Sequence, residues 1–267
     1  MKHSPNFSIM GIINVTPDSF SDGGSYLQTK DAIDHGLRLL AEGADILDFG
    51  AESARPYAHQ TLNEQEEWRR LRDIIEYFAK NTTAPISLDS YKPYVIERCL
   101  DLGVTIINNI YGLLHPDCLK KIARNPTIKY LAMHMHQSPA TMQDLPLTAS
   151  MGPAVLDNFY KTTTETLLAA GFNPANIFLD PGIGFGKTDP CNIVLLRDLL
   201  KYTNQYNIVV GISRKSFMGR LLDIADPKER DKASKVIEFT LALAGVKWIR
   251  THNVAALHQL RTKLALE

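Results

Sequence analysis

Eight short apolar runs alternate with amphipathic or charged stretches along this chain, and that alternation limits the possible folds more than any other feature. The runs lie near 8–14, 45–50, 85–89, 105–108, 129–134, 176–180, 208–213 and 247–252. Stretches of helical character follow them near 29–43, 63–80, 92–102, 116–124, 153–171, 190–203, 216–245 and 254–265. A strand buried on both faces reads as a short unbroken apolar run, and neighbouring parallel strands need a crossover, usually a helix. Eight such units in 267 residues predict an α/β fold, a single (β/α)8 TIM barrel, although an open doubly wound sheet produces a similar pattern. No composition break or low-complexity linker divides the chain, so one domain over residues 1–267 is expected. The longest irregular connection, 135–152 with Pro139, Met142, Pro146 and Gly152, follows the fifth run.

The polar residues favour the barrel. In that fold the active site is built at the C-terminal ends of the strands and from the loops after them. At those positions the chain places Asn14, Glu52 with Arg55, Asp89, Asn108, His134, Asp180, Lys215, and Arg250 with His252. Every predicted strand thus delivers at least one polar or ionisable side chain to the same end. The first delivery is the densest: Ile9-Met-Gly-Ile-Ile13 opens into Asn14-Val-Thr-Pro-Asp-Ser-Phe-Ser-Asp-Gly-Gly24. A core has no use for Asn14, Asp18, Asp22 and two glycines so close together, whereas a loop that folds over an anionic ligand does.

Bulk composition narrows the partners. Lys plus Arg equals Asp plus Glu at 29 each, so no basic field points to nucleic acid or an anionic membrane. No apolar run is long enough to cross a bilayer, and Met1 to Asn6 lacks a signal-peptide pattern. Cys99, Cys118 and Cys191 are odd in number and far apart, as expected of reduced thiols in a cytoplasmic protein. The expectation is a cytoplasmic enzyme acting on small molecules.

Chemistry follows from the residue types. Lys215 stands where a strand gives way to a helix starting near Ser216, and Arg55, Arg250 and His252 add cations or donors at the same rim. Cations beside helix N-terminal amides suit a phosphate, diphosphate or carboxylate. Asp89, Asn108 and Asp180 can accept and donate in a fixed pattern to a flat heterocycle with amide and amine edges. Two motifs are set aside. Asp180-Pro-Gly-Ile-Gly-Phe-Gly-Lys-Thr188 has the outline of a Walker A loop, but Pro181 replaces its first glycine and Pro190 interrupts the helix such a loop opens. His134-Met-His136 offers two imidazoles on one strand face without a third ligand, so packing and hydrogen bonding at the barrel mouth are the expected role of His134.

These residues resemble the dihydropteroate synthase family over essentially the whole chain. The resemblance rests on Asn14 to Gly24, Glu52-Ser-Ala-Arg-Pro56, Asp89-Ser90, Ile107-Asn108, Met133-His-Met135 with Met142-Gln143, Asp180 to Lys187, Ser213-Arg-Lys-Ser216 and Arg250-Thr-His252. It implies condensation of 6-hydroxymethyl-7,8-dihydropterin diphosphate with p-aminobenzoate, giving 7,8-dihydropteroate and pyrophosphate. It also implies that Asp89, Asn108, Asp180 and Lys215 hold the pterin ring. Asn14 would ligate Mg2+ on the diphosphate, and Arg250 and His252 would bind the same anion. Arg55, Pro56, Phe185 and Ser216 would shape the p-aminobenzoate pocket, with Phe20 and Asp22 brought in by the first loop. Asp22, Arg55, Asp180 and Lys215 would carry the catalytic roles. A homodimer is implied too, with the apolar stretch 236–246 as a candidate contact.

Four positions depart from the family pattern. Ala54 replaces a threonine, Tyr57 a glycine, and Asn109 and Asn253 stand where aspartates are usual. The two asparagines are expected to remove negative charge near an anion site, and Ala54 and Tyr57 to alter the p-aminobenzoate side. A diverged, pterin-binding relative without full activity and a methyltetrahydrofolate-type pterin methyltransferase domain are the competing classes; the latter would not need Lys215, Arg250 and His252 for a diphosphate.

Overall fold

The structure, a computed structural model, describes residues 7–16, 24–52 and 62–265. Eight parallel strands pair in chain order: β1 Ser8–Asn14, β2 Ile46–Gly50, β3 Ile86–Asp89, β4 Ile106–Asn109, β5 Lys129–Met133, β6 Ile177–Asp180, β7 Asn207–Val210 and β8 Trp248–Thr251. Ser8 of β1 registers with Trp248 of β8, which closes the barrel. An open sheet would have kept two edges of unpaired backbone groups; closure removes them. Around the strands lie α1 Gly24–Ala41, α2 Glu64–Asn81, α3 Pro93–Asp101, α4 Pro116–Ala123, α5 Gly152–Ala170, α6 Asp189–Asp198, α7 Leu200–Thr203, α8 Ser216–Leu222, α9 Asp231–Leu243 and α10 Val254–Ala265.

Helix α2 illustrates how the outer layer forms. Asn63 caps it by accepting from the Glu66 amide at 2.8 Å, and Glu64, Glu66 and Glu67 fill its first turn, where the helix dipole favours negative charge. Leu71, Ile74, Ile75 and Phe78 recur at helical spacing and are fully buried. Burial of each such side chain contributes about 1.5–3 kcal/mol. Phe78 packs on Phe49 of β2, ring centroids 5.3 Å apart. Gly36 of α1 permits that contact, because a Cβ there would lie 2.4 Å from the Phe78 ring.

The two-residue period of a strand separates the core from the site. One set of side chains faces the helices: Ile9, Leu47, Leu88, Ile107, Ala132 and Leu179 belong to the large outer cluster. The alternate set fills the barrel interior as a second cluster, Met10, Ile46, Ile106, Leu131, Phe178, Val209 and Trp248, with Phe178 and Trp248 stacked at 3.6 Å. Two residues further along the same inward row come Asp48 after Ile46, Asn108 after Ile106, Asp180 after Phe178 and Arg250 after Trp248. The barrel therefore has an apolar plug below and a polar, charged mouth above.

Two predicted helices are interrupted. The stretch 190–203 breaks at Leu199 into α6 and α7. The stretch 216–245 breaks more widely, because Asp223 ends α8 in the left-handed region (φ +54) and Pro227 cannot continue a helix. Arg230 holds the resulting loop by donating to the carbonyls of Arg214, Ile224 and Ala225.

Candidate active site

Arg250 is the centre of the mouth. From β8 its Nε donates to Asp48 on β2 at 2.6 Å, and its Nη2 donates to Asp89 on β3 at 2.9 Å. β1 separates β8 from β2 in the sheet, so these bonds cross the barrel interior. Asn108 on β4 directs its Nδ2 to Asp48 at 3.3 Å. Asp48 is fully buried and is not among the residues that sequence reasoning selected. Its signal was available: a lone carboxylate inside the wholly buried strand Ile46-Leu-Asp-Phe-Gly50 requires a cation nearby. Burial raises the Asp89 carboxyl above its ordinary range and Asp48 adds to the rise, while Arg250 opposes it. Burial also works against the Arg250 cation, and its two carboxylates more than offset that.

Opposite this cluster stand Asp180 and Lys215. Asp180 ends β6 and accepts from the Gly182 amide at 2.6 Å. Burial raises its carboxyl, with Lys215 the strongest opposing charge. Burial pulls the Lys215 ammonium down to about 8, and Asp180 resists. Lys215 donates to the Ile183 carbonyl and lies over the Phe185 ring, 4.5 Å from its centroid. Arg214, next to it, takes a left-handed φ of +60 and points away, paired bidentately with Asp231 at 2.8 and 2.9 Å. That local twist frees Lys215 to face the mouth, with the exposed Ser216 opening α8 beside it.

The rim carries the remaining groups. Asn14 ends β1 half-buried, and its side chain makes no hydrogen bond to another described residue. The His252 ring sits against Ser213, Nδ1 to Oγ 3.0 Å. Lys92 joins Glu52 at the end of β2 to the buried Glu67 of α2, and Tyr91 donates to Glu52 at 3.1 Å. His134 is buried and packs edge-on to Phe159, with burial lowering its pKa to about 3; the packing expected of it is present, while its buried Nδ1 makes no hydrogen bond among the described residues. Lys187 is buried as well; burial lowers its pKa to about 7 and Lys215 acts in the same direction. Among the described residues no group of three or more His, Cys, Asp or Glu gathers as a metal cage. A separate cavity of about 260 Å³ lies between α3 and α4, lined by Ile96, Leu100, Leu114, Cys118 and Ile122, and shares no residue with the mouth.

Of the two asparagine departures, Asn109 takes a different place from the one expected. Asn109 follows Asn108 on the strand and so faces outward, where its Nδ2 donates to the Tyr130 hydroxyl and its Oδ1 accepts from the Tyr111 amide. Asn253 accepts from the Ala256 amide at 3.3 Å and so caps the start of α10. Asn109 therefore takes no charge from the ring of Asp48, Asp89 and Asp180, whereas Asn253 stays beside His252 and also caps a helix. Phe20, Asp22, Arg55 and Pro56, with Ala54 and Tyr57, lie outside the described residues.

Residues 10–252 match the family model described as pterin binding enzyme. The chain is 38% identical over 252 residues to the dihydropteroate synthase of Neisseria meningitidis serogroup C, covering 93% of this chain and 88% of that protein. The Escherichia coli K12 dihydropteroate synthase is 37% identical over 248 residues, 92% of this chain and 86% of its own length. Among solved structures, Xanthomonas albilineans dihydropteroate synthase with 4-aminobenzoic acid superimposes with a TM-score of 0.89 at 34% identity, covering 98% of this chain and 93% of that one. A Yersinia pestis dihydropteroate synthase with a sulfonamide drug complex gives the same TM-score and identity over 99% and 95% of the two chains.

Proposed function

The chain belongs to the dihydropteroate synthase family of pterin-binding enzymes, and from that premise we propose how its own residues divide the work. The reaction is the condensation of 6-hydroxymethyl-7,8-dihydropterin diphosphate with p-aminobenzoate to give 7,8-dihydropteroate and pyrophosphate. The observation that carries the assignment of roles is the convergence of Asp89, Asn108, Asp180 and Arg250 in one barrel mouth, with Lys215 coupled to Asp180. Asp89, Asn108 and Asp180 supply the acceptors and the amide donor that a pterin edge needs, and Lys215 supplies a cation to its carbonyl side. Arg250 and His252 bind the diphosphate.

Scission of the methylene carbon–oxygen bond leaves positive charge spread over the electron-rich pterin and adds negative charge to the departing diphosphate. Asp180, with Asp22 from the first loop, favours the first; Arg250 and His252 favour the second. The arylamine attacks as a neutral nucleophile, so positioning dominates over proton transfer. Arg55, Pro56, Phe185, Ser216 and Phe20 hold it, and exclusion of water protects the cation from capture.

Magnesium fits this site. The amide oxygen of Asn14 is a hard donor on the rim at the end of β1, and a cation of this kind needs only one or two protein oxygens when phosphate and water complete its shell. When bound, it neutralises charge on the leaving diphosphate. We also place the enzyme in the cytoplasm as a single-domain homodimer, with Val236 and Leu243, exposed on α9 within the stretch 236–246, as candidate contacts. Among the described residues no helix is long and apolar enough to cross a membrane.

The deciding experiment follows pyrophosphate release and dihydropteroate together, with and without p-aminobenzoate, at controlled Mg2+. Release coupled one-to-one to dihydropteroate is the expected result. Pterin binding without coupled product would refute the assignment.

A further inference from the structure

The segment Asp180-Pro-Gly-Ile-Gly-Phe-Gly-Lys187 ends in a lysine that no step of the reaction above employs. Its ammonium turns inward and donates to three main-chain carbonyls: His134 at 3.2 Å, Gly182 at 2.8 Å and Phe185 at 2.9 Å. An ammonium has three donors and no acceptor, so this cage satisfies it completely. The carbonyls come from two different loops, one behind β5 and one behind β6. Gly182, Gly184 and Gly186 all hold left-handed φ values, +62, +85 and +64, which fold the second loop around the lysine. A Cβ on Gly182 would fall 1.9 Å from the His134 carbonyl oxygen, so the two loops touch along their backbones.

The same loop presents Phe185 to the mouth, and Lys215 grips it from the other side through the Ile183 carbonyl. In the proposed reaction Lys215 turns to the pterin, and that carbonyl then loses its donor. Lys187 and Asn192 remain; the latter accepts from the Gly184 amide at 2.8 Å. The geometry points to Lys187 as a positioning residue for the arylamine: by caging the carbonyls of His134, Gly182 and Phe185 it keeps the Phe185 wall in place while Lys215 is engaged elsewhere. This inference rests on the reading of Phe185 and Lys215 given above.

The test compares Lys187→Met, Lys187→Gln, Phe185→Ala and the Lys187→Met/Phe185→Ala double variant in steady-state kinetics, each substrate varied in turn. Lys187→Met is expected to raise KM for p-aminobenzoate at least tenfold and to leave KM for the pterin diphosphate within threefold. The double variant is expected to match Phe185→Ala within twofold. Amides of Gly182 to Gly186 are expected to exchange with solvent faster in Lys187→Met, while those of the barrel strands do not. A fall in kcat with both KM values unchanged, or effects that multiply in the double variant, would overturn the role. If Lys187→Met does not fold, Lys187→Gln bears the same comparisons. If the wild-type protein makes no dihydropteroate, the reaction assignment fails by itself; unchanged exchange at Gly182 to Gly186 in the variant would then separately overturn the positioning role.

Discussion

Replacing Asp48 by asparagine isolates the charge on which the barrel mouth is built. The side chain keeps its shape and can still accept from Arg250 Nε, but it no longer carries the negative charge that this guanidinium faces at 2.6 Å. A hydrogen bond to a charged group contributes about 1.5–3 kcal/mol and a neutral one about 0.5–1.5 kcal/mol. Arg250 stays charged, so its bond to the new amide weakens only within the charge-assisted range, by about 1 kcal/mol, while the Asn108 bond, with its longer 3.3 Å contact, becomes neutral and adds a smaller loss. Breaking a fully buried ion pair costs about 3–5 kcal/mol, but Arg250 keeps Asp89 and 22% of its side chain exposed, so a total near 2 kcal/mol is expected. Unfolding entropy of about 2.1 cal/mol/K per residue over 267 residues gives about 0.56 kcal/mol per kelvin, hence a fall in Tm of about 3–4 °C. The arginine should also lean toward Asp89, with kcat/KM for the pterin diphosphate falling about tenfold. Thermal unfolding in two backgrounds decides the point. With Arg250→Met, Asp48 and Asp89 face each other without a cation, so Asp48→Asn should then raise Tm. An equal loss of Tm in both backgrounds would refute the claim that Asp48 acts through Arg250.

Asn109→Asp should leave kcat/KM for both substrates within about threefold while shifting Tm by a few degrees, because the side chain faces Tyr130 and not the mouth; a tenfold change in KM for p-aminobenzoate would contradict that placement. Burial raises the Glu238 carboxyl from 4.5 to about 8, with Asp231 adding to the rise and the Thr251 hydroxyl opposing it. The folded state thus binds this proton more tightly than the unfolded one. The stabilisation is complete below the unfolded value and is lost as pH rises through about 8, at up to about 1.4 kcal/mol per pH unit. Glu238→Gln should flatten Tm between pH 5 and 9 relative to wild type, and parallel curves would reject the assignment. Glu67→Gln removes one of the two carboxylates around Lys92 and should cost about 1–3 kcal/mol, measured by urea unfolding; no change in the midpoint would mean that Glu52 alone suffices.

Much of the barrel was legible because each strand is buried on both faces and so writes itself as an unbroken apolar run. The residues that end those runs, Asp89, Asn108 and Asp180, were legible for the same reason: each is a polar group closing an otherwise apolar strand, and Asn108 and Asp180 stand two positions beyond an inward apolar residue, Ile106 and Phe178. Asp48 was not, since it sits inside its run and answers to Arg250, 202 residues away. Only the closed barrel brings the two together. Asn109 misled because a strand's neighbours point in opposite directions: Asn108 reads the interior and Asn109 the helix layer. The break in 216–245 hinges on Asp223 adopting a left-handed conformation, which helical periodicity does not register, although Pro227 was in plain view.

Lys187 and Arg230 share one property with evolutionary weight. Each gathers three main-chain carbonyls, from Arg214, Ile224 and Ala225 in the case of Arg230, and apart from Gly182, which must stay glycine, the contacts themselves are made to backbone and not to side chains. A loop moulded this way is indifferent to much of its own sequence. Substitutions at Ile224 or Ala225 can accumulate while the path of the backbone stays as it is. The cost of that freedom is concentrated in two cations and a few glycines, so variation at this mouth should be broad in its lining and nearly absent in its fasteners.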